Sequence, residues 1–133
     1  MHPLQGQYRV YTSRHASHMY TFVHTLCKRT YIYKGNDVER AVRANLRNIR
    51  SHFNEINSLS YNSIAITNSG YGELAWTVAM VHRDTQIYAF EADTDKFLIA
   101  SHCSYIPENL HFVNDDKILT KYDYLIDNQL FIK

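Results

Sequence analysis

Cysteine, proline, glycine and tryptophan are all scarce in this chain: two, two, four and one in 133 residues. Each scarcity excludes something. Cys27 and Cys103 stand far apart and form no paired motif, so they read as reduced thiols of a cytoplasmic protein rather than a disulfide framework. With so few prolines and glycines there is no low-complexity segment, no internal repeat and no linker after residue 12. No apolar run approaches the roughly 20 residues that span a bilayer, so no transmembrane segment is expected. Met1-His-Pro-Leu-Gln lacks the charged and apolar regions of a signal peptide. An excess charge of one sign is also missing. The formal net charge is +1, which exerts no global pull toward nucleic acid or anionic membrane. What is abundant is tyrosine, eleven in all, read as packing residues with the hydroxyl at the surface.

The length suits one domain with a real core. Residues 1–12 read as a loose arm, 13–57 as a helical lead-in and 63–133 as an α/β core. From Arg14 to Lys28, Met19, Phe22, Val23 and Leu26 recur at helical spacing and predict an amphipathic helix. Tyr31 to Tyr33 is an extended link. Asn36 can cap a second helix with Asp37 and Glu39 in its first turn. That helix is expected to run to about Ile56, burying the stripe Val38, Val42, Leu46, Ile49, Phe53 and Ile56. Arg40, Arg43, Arg47 and Arg50 line its opposite side, as a solvated face or a phosphate contact.

The core begins with Ser63 to Asp93. Ile64 to Ile66 reads as a buried strand, Gly70 and Gly72 as a tight turn, Glu73 to His82 as an apolar helix, and Gln86 to Phe90 as a second strand ending at Glu91. Strand, glycine turn, helix, strand and terminal acid make half of a nucleotide-binding unit. A short helix from Asp93 or Thr94 to about His102 follows. Then come a turn at Pro107 to Asn109, a third strand at Leu110 to Val113, and a helical or irregular piece over Lys117 to Tyr122. Tyr124 to Ile126 is a fourth strand, Asp127-Asn128 a turn, and Leu130 to Ile132 an extended end. The alternation predicts an α/β fold: two N-terminal helices, then a mostly parallel, Rossmann-like sheet of four to five strands.

Ser69-Gly-Tyr-Gly-Glu-Leu-Ala75 resembles the first motif of class I S-adenosylmethionine-dependent methyltransferases. Ile87-Tyr-Ala-Phe-Glu-Ala-Asp93 resembles their second motif, Pro107 to Asp115 their third strand and the polar pair after it, and Tyr122 to Asp127 their fourth strand. The likeness runs in register over about residues 60–127. Tyr31 to Arg47 resembles, more loosely, the methyltransferase-like end of bacterial proteins that join a lipid transporter, a lysophospholipid acyltransferase and a methyltransferase-like domain.

The resemblance implies a site made of Asn68, Ser69, Gly70, Tyr71, Gly72, Glu91, Ala92, Asn114 and Asp115, with S-adenosylmethionine as cofactor. Glycines let backbone approach the ligand, and the helix N-terminus offers free N–H groups. Glu91 would accept both ribose hydroxyls, since a carboxylate takes two hydrogen bonds. Asn114 or Asp115 would meet the adenine amino edge. Two positions depart from the family pattern: Ile66 stands for the acid that helps fix the cofactor's amino group, and Asn68 for the first glycine. Asn tolerates the left-handed region, so the turn can survive. The family fold has seven strands, so a shortened or decayed domain is the expectation.

No catalytic residue or methyl acceptor can be named. The alternative function is a non-catalytic interaction or regulatory module of an acyltransferase-linked protein, a homodimer or part of a parent multidomain chain. A third reading takes Gly70-x-Gly72-x-x-Ala75 with Glu91 as a dinucleotide fingerprint. His15 and His18 share a helical face without a third metal ligand, and the adjacent His102-Cys103 do not face each other on a helix. No metal site and no nucleic-acid motif is assigned.

Overall fold

The structure, a computed structural model, describes residues 19–24, 29–102, 105–117 and 121–131. Its centre is a parallel sheet of four strands: β3 (Ser63–Thr67), β4 (Gln86–Phe90), β5 (Leu110–Val113) and β6 (Tyr124–Asp127). They lie side by side in the order β5-β4-β3-β6. Ile64 stands opposite both Ile87 and Tyr124, and Ile87 opposite Leu110. Numbered within the sheet, the order is 3-2-1-4, that of a doubly wound α/β sheet around its switch point. The expected α/β, Rossmann-like class holds.

Helices gather on one face. α1 (Gly35–Ser51) packs against α3 (Glu73–Val81), and α4 (Thr94–Ser101) packs on β5. The strands alternate, so every second side chain points to these helices. Ile64, Ile66, Ile87, Ala89 and Leu110 join Val42, Leu46, Ile49, Leu74 and Val78 in one apolar cluster. α3 is buried almost all round, from Glu73 through Ala79, as its unbroken apolar sequence demands. The other sheet face carries Tyr88, Phe90 and His111, with Tyr122 from the β5–β6 connection packed on the first two.

Asn109 holds the seam between helix and sheet. Its buried amide nitrogen donates to the carbonyls of Ala79, His82 and Thr85 at 3.0, 2.9 and 2.8 Å. Carbonyls at the end of α3 have no helical partner. A residue expected only to make a turn thus caps that helix from 30 residues away.

Three expectations need correction. The helix predicted from Arg14 to Lys28 is, where described, strand β1 (Met19–His24). It pairs antiparallel with β2 (Arg29–Lys34), Met19 opposite Lys34 and His24 opposite Arg29. Met19-Tyr-Thr-Phe-Val23 is rich in aromatic and β-branched residues, which suit strands, and three apolar positions cannot discriminate the two periods. The rest of that segment lies outside the described residues, as do the 1–12 arm, His15, His18, Cys27 and Cys103.

The long helix, second, does not run unbroken to Ile56. It stops at Ser51, and a separate turn, α2 (Phe53–Asn57), follows. The Asn48 carbonyl accepts from the Ser51 hydroxyl at 2.8 Å and from the His52 N–H at 3.2 Å, and His52 Nδ1 lies 2.9 Å away. Local polar side chains compete there for the helical acceptor. Val42, Leu46, Ile49 and Ile56 remain buried, but Phe53 turns outward, 40% exposed.

The third correction is at the end of the chain. Where a turn at Asp127-Asn128 and an extended Leu130 to Ile132 were expected, Asn128–Phe131 forms a short helix, α5, and Ile132 lies outside the described residues. Asp127 Oδ1 accepts the Gln129 N–H at 3.0 Å, an N-cap contact. Of the piece expected over Lys117 to Tyr122, residues 118–120 lie outside the described residues, and the remainder is irregular.

Candidate functional site

The carboxyl ends of β3, β4, β5 and β6 meet at one edge of the sheet. The loop after β3 has positive φ at every second residue: Asn68 at 52°, Gly70 at 62° and Gly72 at 83°. Glycine suits this region because it has no Cβ, and Asn is among the few other residues that visit it. The left-handed turn therefore survives the Asn68 substitution.

Gly72 has a second reason to be glycine. A Cβ there would stand 2.9 Å from Phe112 Cε1 and 3.3 Å from Ala100 Cβ. Gly72 is the N-cap of α3, and its bareness lets that helix start against β5 and α4. Gly70 faces open space, with Asn128 Nδ2 nearest at 4.0 Å. Its backbone N–H is engaged by a side chain.

That N–H donates to Glu91 Oε1 at 2.7 Å. Glu91 Oε2 accepts the Asp93 N–H at 2.9 Å. The carboxylate at the end of β4 thus clamps the glycine loop to the next turn. Each oxygen keeps a further lone pair, so the clamp can still accept ligand hydroxyls. Asn114, at the end of β5, stands behind it. Its amide donates to the Glu91 and Ala92 carbonyls at 2.9 and 3.2 Å and accepts from the Thr94 hydroxyl at 3.3 Å. Asn68 to Gly72, Glu91, Ala92 and Asn114 are therefore brought together. Asp115 is not among them: it lines a groove on the open sheet face. The backbone N–H groups of Lys117 and Asp116 hold its carboxyl below the ordinary carboxylate value.

Tyr71 reports the electrostatics. Burial, followed by the carboxylates of Glu73, Asp93, Glu91 and Asp95, pushes its phenol up from 10.0 to about 12. Lys96 Nζ lies 5.9 Å from the ring centroid. Four carboxylates near Tyr71 work against a pyrophosphate at this loop and are compatible with a cation or a neutral polyol.

Two residues that sequence reasoning treated only as a turn belong to this edge. Asp127 Oδ1 accepts from Asn68 Nδ2 at 3.1 Å, and Asn128 Nδ2 donates to the Asn68 carbonyl at 3.1 Å. The end of β6 therefore grips the loop at the switch point, between strands 1 and 4 of the sheet. The only available signal was the Asp-Asn pair itself. Ser69 and Asn128 are each 1% exposed, and Ser69 Oγ and Asn128 Oδ1 have no hydrogen-bond partner among the described residues. Both atoms are buried and polar and lie beside the loop. Ile66, by contrast, has no exposure and lies in the apolar core. A carboxylate at that position would be buried among aliphatic side chains.

Among the described residues no group of three His, Cys, Asp or Glu could hold a metal ion. None of the described helices is long and apolar enough to cross a membrane. Arg40, Arg43, Arg47 and Arg50 are all exposed on α1. No family model, no curated protein and no solved structure matches the chain.

Proposed function

We propose that the Asn68–Gly72 loop and Glu91 bind S-adenosylmethionine, in a methyltransferase-like domain. The observation that carries the reading is the Glu91 clamp. An acid at the end of the second parallel strand is bonded to the N–H of a glycine in the loop after the first, at the strand-end edge where doubly wound sheets take nucleotides. The acidic surroundings of Tyr71 favour a sulfonium ligand over the pyrophosphate of a dinucleotide. In this reading Glu91 receives the ribose hydroxyls, and Asn114 supports the Glu91–Ala92 turn. Asp127 supplies, from β6, the carboxylate that Ile66 cannot supply from β3.

Titration calorimetry with S-adenosylmethionine and S-adenosylhomocysteine tests this. Saturable heat, lost in Glu91→Ala with the fold intact by circular dichroism, is the expected result. Folded protein giving no heat at roughly millimolar ligand, the weak end of specific binding, overturns it.

A second reading is favoured by the edge strand β6. Leu125 is 56% exposed there, and Tyr124 stacks on Tyr61 at 4.4 Å in the open. Exposed apolar edges pair with other chains, which suits a non-catalytic interaction module, as a homodimer or within an acyltransferase-linked parent chain. Light scattering that shows a strict monomer at every concentration removes the homodimer.

A further inference from the structure

The open face of the sheet carries a groove of about 570 Å³. That falls within the roughly 300–1,000 Å³ of small-molecule sites. Its floor and wall are aromatic: Tyr88, Phe90 and Tyr122. Tyr122 is half-buried, 5.0 Å from the Tyr88 ring and 6.0 Å, edge-on, from that of Phe90. Its rim carries Lys117 and Lys121, both exposed, and Asp115. The chemistry differs from that of the glycine loop. There the titratable neighbours are mostly acids; here two ammonium groups stand beside packed aromatic rings.

A sheet face that only had to be covered would not need this composition. Parallel strands buried on both faces read as continuous aliphatic runs. β4 instead alternates, with Ile87 and Ala89 in the core and Gln86 and Tyr88 toward this face. Aromatic rings beside lysines are what a base and its phosphate require. The π-face of the base stacks on tyrosine, and the phosphate pairs with ammonium.

We propose that this groove is a binding site for a free nucleoside monophosphate, its base against Tyr122 and its phosphate at Lys117 and Lys121. A nucleic-acid strand fits less well. Two lysines match one phosphate, and Asp115 in the same groove would repel the phosphates that flank it. The site is independent of the glycine loop and does not rest on the cofactor reading. Asp115, its carboxyl held ionised by two backbone N–H groups, adds an acceptor for an exocyclic amino group of the base.

The test is calorimetry of the whole chain with adenosine monophosphate, adenosine and inorganic phosphate, at low and high salt. Adenosine monophosphate should bind best and weaken as salt screens the lysines. Lys117→Ala/Lys121→Ala, which alters only exposed side chains, should reduce its affinity to that of adenosine. Tyr122→Ala should cost on the order of tenfold, from lost stacking. Tyr122→Leu serves as the packing control, and should bind as weakly as the alanine variant while keeping the fold. Four results would overturn the proposal. One is no binding by folded protein at roughly 10 mM ligand. Another is an affinity unchanged in the double lysine variant, or abolished by Glu91→Ala, which would place the nucleotide at the glycine loop. The last is a tetranucleotide that binds more tightly than the monophosphate.

Discussion

The two faces of the central sheet are built from the same strands and obey different rules. On the helical face Ile64, Ile66, Ile87 and Ala89 have no exposure and interlock with α1 and α3. On the open face Tyr88 stacks on His111 at 4.8 Å and touches Tyr122, while Leu125 is 56% exposed. Among the described residues no helix covers that side. The difference separates stability from recognition. One face offers aliphatic volume and nothing a polar ligand could use. The other offers rings and lysines, with Ala65 and Phe90 buried and Tyr88 and His111 partly exposed. The loop at the strand ends joins the two: Gly72 packs into the helical layer, while Gly70 and Glu91 face outward.

The sharpest way to break this contrast is to place a charge on each face. Ile66→Asp puts a carboxylate into the aliphatic cluster without a partner, and should cost more than about 4 kcal/mol, enough to unfold a marginal domain. Leu125→Asp, on the exposed edge strand, should stay within about 1 kcal/mol. Urea denaturation followed by circular dichroism measures both. Equal costs would mean that β6 is as buried as β3 and would sink the distinction.

Next in size is the pair of loop glycines. Gly72→Ala meets Phe112 and Ala100 as well as a positive φ, whereas Gly70→Ala meets only the φ. Left-handed backbone costs an L-residue about 1–2 kcal/mol, and forced overpacking adds about 1–3 kcal/mol. Gly72→Ala should therefore lower the urea midpoint clearly more than Gly70→Ala. The reverse order would show that α3 does not depend on close approach at Gly72. Asn109→Ala should fall between them. It leaves the carbonyls of Ala79, His82 and Thr85 without their side-chain donor, at about 1–3 kcal/mol for a buried acceptor left unsatisfied. Asn109→Asp should not rescue, since a carboxylate cannot donate.

The strands of the core could be read from the sequence almost to the residue, because Ile64 to Ile66, Gln86 to Phe90 and Leu110 to Val113 are short runs bounded by polar turns. The loop could be read too, since Asn68, Gly70 and Gly72 are the residue types that positive φ demands. Long-range bonds could not. No period announces that Asn109 caps α3, or that Asp127 and Asn128 hold the loop from β6. Nor could the break at His52 be read. It depends on which polar side chain captures the Asn48 carbonyl, and the stripe from Val42 to Ile56 runs straight through it. The hairpin β1–β2 was missed because Met19, Phe22 and Val23 suit either period over so short a stretch.

The smallest expected effect probes the seam itself. Tyr71 holds its proton to about 12, against 10.0 for a free phenol, chiefly through burial and then through Glu73, Asp93, Glu91 and Asp95. Between those two values the folded protein therefore binds more protons than the unfolded chain, and stability must fall as pH rises. The Tyr71 contribution is present in full below pH 10.0 and is lost as pH climbs through about 12. Solvent reaches half of the residue, so the loss is strongly screened. Tyr71→Phe removes the titrating group, and so should flatten this part of the alkaline limb while leaving the neutral one unchanged. The comparison is the difference in Tm between the two proteins from about pH 9 upward. A difference that stays constant across that window would mean the phenol ionises normally and the acidic ring around the loop is not felt there. If the difference opens as pH rises, and adding Glu91→Gln makes it open less, the carboxylates are acting on Tyr71 as the geometry requires.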